Sequence, residues 1–295
     1  MRNTEPAGSL VEIDDAPAPF LKWAGGKRQL LARILRDVPG PIGTYYEPFI
    51  GGGAVFFGLV AAGHRFERAV LGDANEELVR CYRAIQANVE GVITALGRHR
   101  YERSHYYAVR ERDPRRLTDA GAAARVIYLN RCGYNGLYRV NSKGLFNVPF
   151  GRYVNPVICD AGRLRAVARA LSGVLLVHGD FDETLQGAGE GDFVYFDPPY
   201  VPLSRTASFT AYAKERFDAA AQARLAERLR ELGARGVPAL LSNSDCRETR
   251  LLYKDLPWKR VPVRRAINSV AASRGAVGEL LVKSFDYPVA GRSSW

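Results

Sequence analysis

The chain has 295 residues, 47% hydrophobic and 25% charged, an ordinary globular composition with material for one large domain or a domain carrying an insertion. Its formal net charge of +11 creates a field that attracts polyanions, nucleic acid being the usual partner. No apolar run is long enough to span a bilayer and no signal-peptide pattern opens the chain, which argues against a membrane or secreted protein. Cys81, Cys132, Cys159 and Cys246 lack C-x-x-C spacing and histidine partners, so buried reduced thiols in a cytoplasmic protein are expected, with no structural zinc.

Residues 1–17 are polar and without apolar period, and read as a loose tail. Order is expected from Phe20-Leu21-Lys22-Trp23-Ala24-Gly25-Gly26-Lys27, a loop feeding a helix whose Leu30, Leu31, Ile34 and Leu35 have helical spacing. The stretch falls short of a nucleotide-triphosphate loop, because Leu21 stands where a glycine is required and Arg28 where Ser or Thr is required. Thr44 to Gly53 then runs from a strand into a glycine turn and a helix-like segment, Ala54 to Ala62, the first half of a Rossmann-type unit. The dinucleotide fingerprint is not met, since its third glycine would fall at Phe56; what stands is F-x-G-x-G, carried by Phe49, Gly51 and Gly53. The next strand, Ala69 to Gly72, ends at Asp73. An acid there commonly bonds ribose hydroxyls, the alternative being a cap for the helix starting near Glu76.

From Glu76 to about Ser172 the strand–helix alternation stops. Leu78, Tyr82, Ile85 and Val89 have helical spacing, as do Ala124, Ile127, Tyr128 and Cys132, and arginines from Arg98 to Arg131, Arg125 among them, crowd the region. Within Asn130 to Tyr153, Asn-Gly and Ser-Lys-Gly flanked by Tyr, Val, Leu and Phe read as hairpin turns. Basic side chains interleaved with aromatics suit a DNA groove; the alternative is an exposed insertion with solvated arginines. Alternation resumes with a strand Val174 to His178 and another, Asp192 to Phe196. A helix from about Asp218 to Leu232, a strand Val237 to Ser242 and two closing strands, Trp258 to Arg264 and Glu279 to Phe285, complete the pattern. His178 has no nucleophile near it in sequence and reads as structural.

The strand ending at Phe196 delivers Asp197-Pro198-Pro199-Tyr200. Two prolines stop it abruptly, since neither offers an N–H. One carboxylate, one carbonyl and one phenol ring are thereby left at a strand's carboxyl end, where open α/β sheets bind ligands. Carboxylate and carbonyl together accept both hydrogens of an amino group, and the ring stacks on a flat base.

F-x-G-x-G, an acid after the second strand and D-P-P-Y after the fourth, in this order, resemble the Dam-type DNA adenine-N6 methyltransferases from about Phe20 to about Phe285. The resemblance implies an α/β, Rossmann-like, mostly parallel methyltransferase sheet over 18–75 and 173–288, with a helical and hairpin target-recognition domain inserted at 76–172 and a tail at 289–295. It implies S-adenosyl-L-methionine as cofactor, held by Trp23, Lys27, Phe49, Gly51, Gly53, Asp73, Asp180 and Asp197. Asp197, Pro198 and Tyr200 would act on a flipped adenine. Arg131, Tyr134, Asn135, Leu137, Arg139, Pro149 and Arg152 would contact double-stranded DNA, with GATC as target. A monomer without metal, cytoplasmic and nucleoid-associated, is expected. Competing expectations are an RNA adenine or cytosine-N4 methyltransferase, and a catalytically silent DNA-binding regulator on the same fold.

Overall fold

The computed structural model describes residues 16–23, 25, 27, 29–141, 143–201, 217–264 and 276–287. The C-terminal tail, and all of the N-terminal one except Ala16 and Pro17, lie outside them. Seven strands form one sheet: β1 (Ile42–Glu47), β2 (Phe66–Asp73), β3 (Leu175–His178), β4 (Phe193–Phe196), β5 (Ala239–Ser244), β6 (Trp258–Arg264) and β7 (Ala276–Lys283). Their order is β3-β2-β1-β4-β5-β7-β6; the first five are parallel, and β7 runs antiparallel to both β5 and β6. The sheet is the mixed α/β, mostly parallel one expected.

The central strands are continuous apolar runs because both faces are covered. Successive side chains point to opposite faces, so Tyr45, Phe193 and Tyr195 enter one core cluster while Tyr46, Val194 and Phe196 enter the other. Helices α1 (Leu31–Arg36), α2 (Ala54–Ala61) and α3 (Glu76–Leu96) follow in order, then α4 (Arg103–Arg110), α5 (Asp119–Cys132) and α6 (Ala161–Ala170) before β3. Helices α7 (Phe181–Thr184), α8 (Ala219–Ala234) and α9 (Arg247–Leu252) complete the set described. The Asn75 carboxamide caps α3 by accepting from Leu78 N at 3.2 Å, and Thr118 caps α5 by accepting from Gly121 N. Helix α5 is buried from Ala122 to Asn130, so it is a core helix, packed on α3.

Some boundaries differ from the sequence reading. Strand β5 runs on to Ser244, placing Asn243 and Ser244 inside its buried end, and β7 begins at Ala276. Cys159 and Cys246 are half-buried, while Cys81 and Cys132 are fully buried. Asn135 and Gly136 take positive φ (54° and 62°), as an Asn-Gly turn should, and Leu137 N donates to Tyr134 O at 3.2 Å. The turn does not join two strands of a hairpin, however. The bridges nearby pair Gly133 with Phe150 and Val140 with Phe146, the second closing around the Asn141–Leu145 turn.

Candidate active site

The strand order reverses between β1 and β4, and that switch point is where parallel sheets leave a crevice. On the β1 side, the glycine turn holds φ of 47° at Gly51 and 72° at Gly53, conformations only glycine adopts without strain. A Cβ at Gly51 would lie 2.7 Å from the Trp23 indole, so that ring rests directly on the turn. Asp73, at the tip of β2, accepts from Gly51 N at 3.1 Å and from Asn75 N at 2.9 Å. It ties the turn to β2 and does not cap α3, a task Asn75 performs. Burial pushes the Asp73 carboxyl up to about 6 against those backbone donors.

On the β4 side, Lys27 Nζ is 2.6 Å from Asp197 Oδ1, donates to Gly25 O at 2.7 Å, and sits 4.7 Å over the Tyr200 ring. Ser242 Oγ donates to the same Asp197 oxygen at 3.1 Å and lies 2.9 Å from the Tyr195 hydroxyl. Burial raises the Asp197 carboxyl above the usual range, and the Lys27 ammonium opposes that rise. The Tyr200 hydroxyl donates to Glu279 of β7 at 2.6 Å. Beneath them Glu47, fully buried, is pushed up to about 8 by desolvation, although Tyr45 OH (2.7 Å) and Phe56 N (3.1 Å) donate to it.

The D-P-P-Y turn is fixed from outside its own sequence. Gln222 of α8 donates to Pro199 O at 2.8 Å and accepts from Asn243 Nδ2 at 3.1 Å. Asn243 Oδ1 accepts from Val201 N at 3.3 Å, and Ser244 Oγ donates to Val201 O at 2.6 Å. Among the described residues none donates to the carbonyl of Pro198. Ser242, Gln222, Asn243, Ser244 and Glu279 were not singled out from sequence, where a polar residue at a strand end or on a helix reads as solvated.

Phe49, Phe181 and Phe217 form an aromatic cluster, Phe49 lying 5.9 Å from Phe181 and 5.4 Å from Phe217. It stands between the glycine turn and the end of β3. Asp180 is exposed there; it caps α7 in a reciprocal capping box with Glu183 and pairs with Arg224 of α8. Trp23, Phe49, Gly51, Gly53 and Asp73 thus gather on the turn, Lys27 joins them to Asp197, and Asp180 lies outermost. Buried carboxylates, aromatic faces and a side-chain-free turn are what a nucleoside linked to an amino acid requires, so the residues present fit such a cofactor.

The segment from Asn130 to Tyr153 is set beside this crevice. Trp23 stacks on Tyr138 at 5.3 Å. Tyr134, Asn135, Leu137, Arg139, Pro149 and Arg152 are exposed, and Arg131 is half-buried. Tyr134 N donates to Pro149 O, holding those two together. The Arg139 fork is oriented by Asn147, donating to its Oδ1 at 2.7 Å. Arg125, counted above among the basic residues of this region, is buried; it donates to Val109 O, Arg110 O and Glu77, and is unavailable to a polyanion. Among the described residues no helix is long and apolar enough to cross a membrane.

Residues 23–267 match the family described as D12 class N6 adenine-specific DNA methyltransferase. The chain is 41% identical to Type II methyltransferase M1.LlaDCHI of Lactococcus lactis subsp. cremoris, with 90% of this chain and 95% of that protein covered. It is 41% identical to Type II methyltransferase M.MjaIII of Methanocaldococcus jannaschii over 90% of this chain and 99% of that one. Identity to the DNA adenine methylase of Escherichia coli K12 is 38%, over 89% of this chain and 93% of that protein.

Proposed function

Because the chain belongs to the D12 class of N6 adenine-specific DNA methyltransferases, we propose that it draws its methyl group from S-adenosyl-L-methionine and delivers it to an adenine flipped out of duplex GATC. Family membership makes it an adenine-specific DNA methyltransferase and sets aside the RNA, cytosine-N4 and silent-regulator alternatives. The observation that carries the mechanism is the Asp197 carboxylate paired with Lys27 at the strand end that Pro198 terminates.

The N6 lone pair is delocalised into the purine and is a poor nucleophile. Hydrogen bonds from N6–H to Asp197 and to the Pro198 carbonyl favour a pyramidal nitrogen whose lone pair points away from the ring, which is positioning plus transition-state electrostatics. The cofactor, when bound, supplies a methyl already activated on a sulfonium. Asp197 then passes the surplus amine proton toward solvent, and the Lys27 ammonium opposes the rise that burial imposes on that carboxyl. Tyr200, its hydroxyl anchored on Glu279, offers its ring to the extruded base and offsets a few kcal/mol of lost stacking. Trp23, Phe49, Gly51, Gly53 and Asp73 hold the cofactor, with Asp73 on the ribose and Asp180 at the adenine.

In the recognition segment, Arg139 faces guanine O6 and N7. Leu137 and Pro149 make apolar base contacts, Tyr134 and Asn135 lie near the displaced adenine, and Arg131 and Arg152 take phosphates. One chain suffices for all of this, and the enzyme acts as a monomer. Tritium transfer from labelled S-adenosyl-L-methionine into duplexes with and without GATC tests the reading; equal incorporation into both would remove GATC, and none into either would remove the function.

A further inference from the structure

Asn130, in the last turn of α5, is 1% exposed and uses its whole amide. Its Oδ1 accepts from Lys22 N at 2.8 Å, while Nδ2 donates to Lys22 O at 2.8 Å and to Gly136 O at 2.8 Å. Two of these bonds form a reciprocal pair on one residue 108 positions away in sequence. That pairing needs a donor and an acceptor at fixed separation, which an asparagine amide supplies and a carboxylate does not. The third bond reaches the turn that displays Tyr134, Leu137 and Arg139.

Lys22 is one residue before Trp23, whose indole packs on Gly51 and Gly52 of the glycine turn and stacks on Tyr138 of the recognition segment. Lys27, five residues after Lys22, holds Asp197. Two further contacts close the same junction. A Cβ at Gly136 would meet the Lys22 side chain at 2.4 Å, so that side chain lies directly on the turn in the space a glycine leaves open. Lys22 Nζ also lies 4.5 Å over the Tyr153 ring, whose hydroxyl donates to Gly133 O at 3.0 Å. The base-reading turn and the cofactor-side loop are therefore bonded to each other through one buried amide.

We propose that Asn130 is a positioning residue that couples target reading to cofactor binding, so that duplex and cofactor bind cooperatively. A shift of the Gly136 turn on engaging bases is passed through Lys22 to its neighbour Trp23, which packs on the glycine turn. This rests on the function proposed above. By linkage the effect is reciprocal: the duplex tightens the cofactor by the same factor by which the cofactor tightens the duplex.

The test measures the dissociation constant of S-adenosylhomocysteine with and without a duplex that the wild-type chain methylates, as identified by the tritium assay. The wild-type ratio is expected to be about fivefold or more, and that of Asn130→Ala below about twofold. A merely structural role would lower thermal stability and leave the ratio at its wild-type value, which overturns the proposal, as does a wild-type ratio of one. Should Asn130→Ala fail to fold, Tyr138→Leu, which removes the half-exposed stack on Trp23 together with an edge contact to Phe146, decides in its place by the same ratio. A wild-type chain that methylates no duplex at all would instead sink the function, a result read separately from the ratio.

Discussion

Replacing Lys27 with methionine isolates what the ammonium does for Asp197. At 2.6 Å and an effective dielectric of about 20, two unit charges attract by about 6 kcal/mol gross. The measured cost of stripping one partner from a buried pair is about 3–5 kcal/mol. Asp197 escapes part of that cost by taking up a proton, since burial already raises its carboxyl and Lys27 is the main influence opposing the rise. With about 3 kcal/mol of that cost falling on the ionised form, methyl transfer slows by about a hundredfold where Asp197 is protonated, and the acid limb of the rate profile moves up. The sign follows from the charge: without the cation the ionised form is disfavoured, so more of Asp197 is protonated at a given pH and activity returns as pH rises. Single-turnover methyl transfer at saturating cofactor and duplex, measured from about pH 5.5 to 9.5, should show Lys27→Met about a hundredfold slower below both limbs and converging on wild type at the alkaline end. An unmoved limb, or a loss of equal size at every pH, would refute this role.

Asp197→Asn should lower the methyl-transfer rate by about a hundred- to a thousandfold, the loss associated with one preorganised polar group, with duplex affinity by filter binding nearly unchanged. Arg139→Ala should cost about 1–3 kcal/mol of discrimination at one guanine and relax selection at that base pair alone, read from rates on singly substituted duplexes. Duplex affinity should fall steeply with salt, by on the order of a hundredfold or more between about 50 and 200 mM, as displaced counterions oppose binding; a flat response would argue against phosphate contacts. Glu47 has a folded-state value of about 8 against 4.5 in the open chain, so the folded protein binds the extra proton and its stability declines as pH rises between those values. Glu47→Gln should flatten that decline in thermal melts from about pH 5 to 8.5, where it amounts to on the order of 4 kcal/mol in the wild type.

The sheet was legible in the sequence because its parallel strands are buried on both faces and so appear as uninterrupted apolar runs, Phe193 to Phe196 most plainly. The motif residues were legible because prolines and glycines act on the backbone locally, whatever the rest of the chain does. What could not be read were polar side chains whose partners lie far off in sequence. Gln222 looks like any exposed helix position until Pro199 and Asn243 are found beside it. Arg125 joined the basic residues by proximity in sequence, yet Glu77, 48 positions upstream, draws it inside. The Asn-Gly pair at 135 and 136 was read correctly for its own φ angles and wrongly for its neighbours, since pairing is set by packing across the segment and not by the turn. Glu279 left no trace, because an acid in a closing strand has no local signature.

Helix α3 crosses from the tip of β2 with its Tyr82 hydroxyl on Gly51 O, while Glu77 and Arg80 on its other side bind Arg125 and Asp119 of α5. Chimeras that exchange target preference between relatives should therefore be spliced downstream of α3, with Glu77 and Arg80 matched to whatever α5 is brought in. A junction at the strand ends would transplant a foreign helix beneath the Gly51–Gly53 turn, and altered turnover would then masquerade as altered sequence choice.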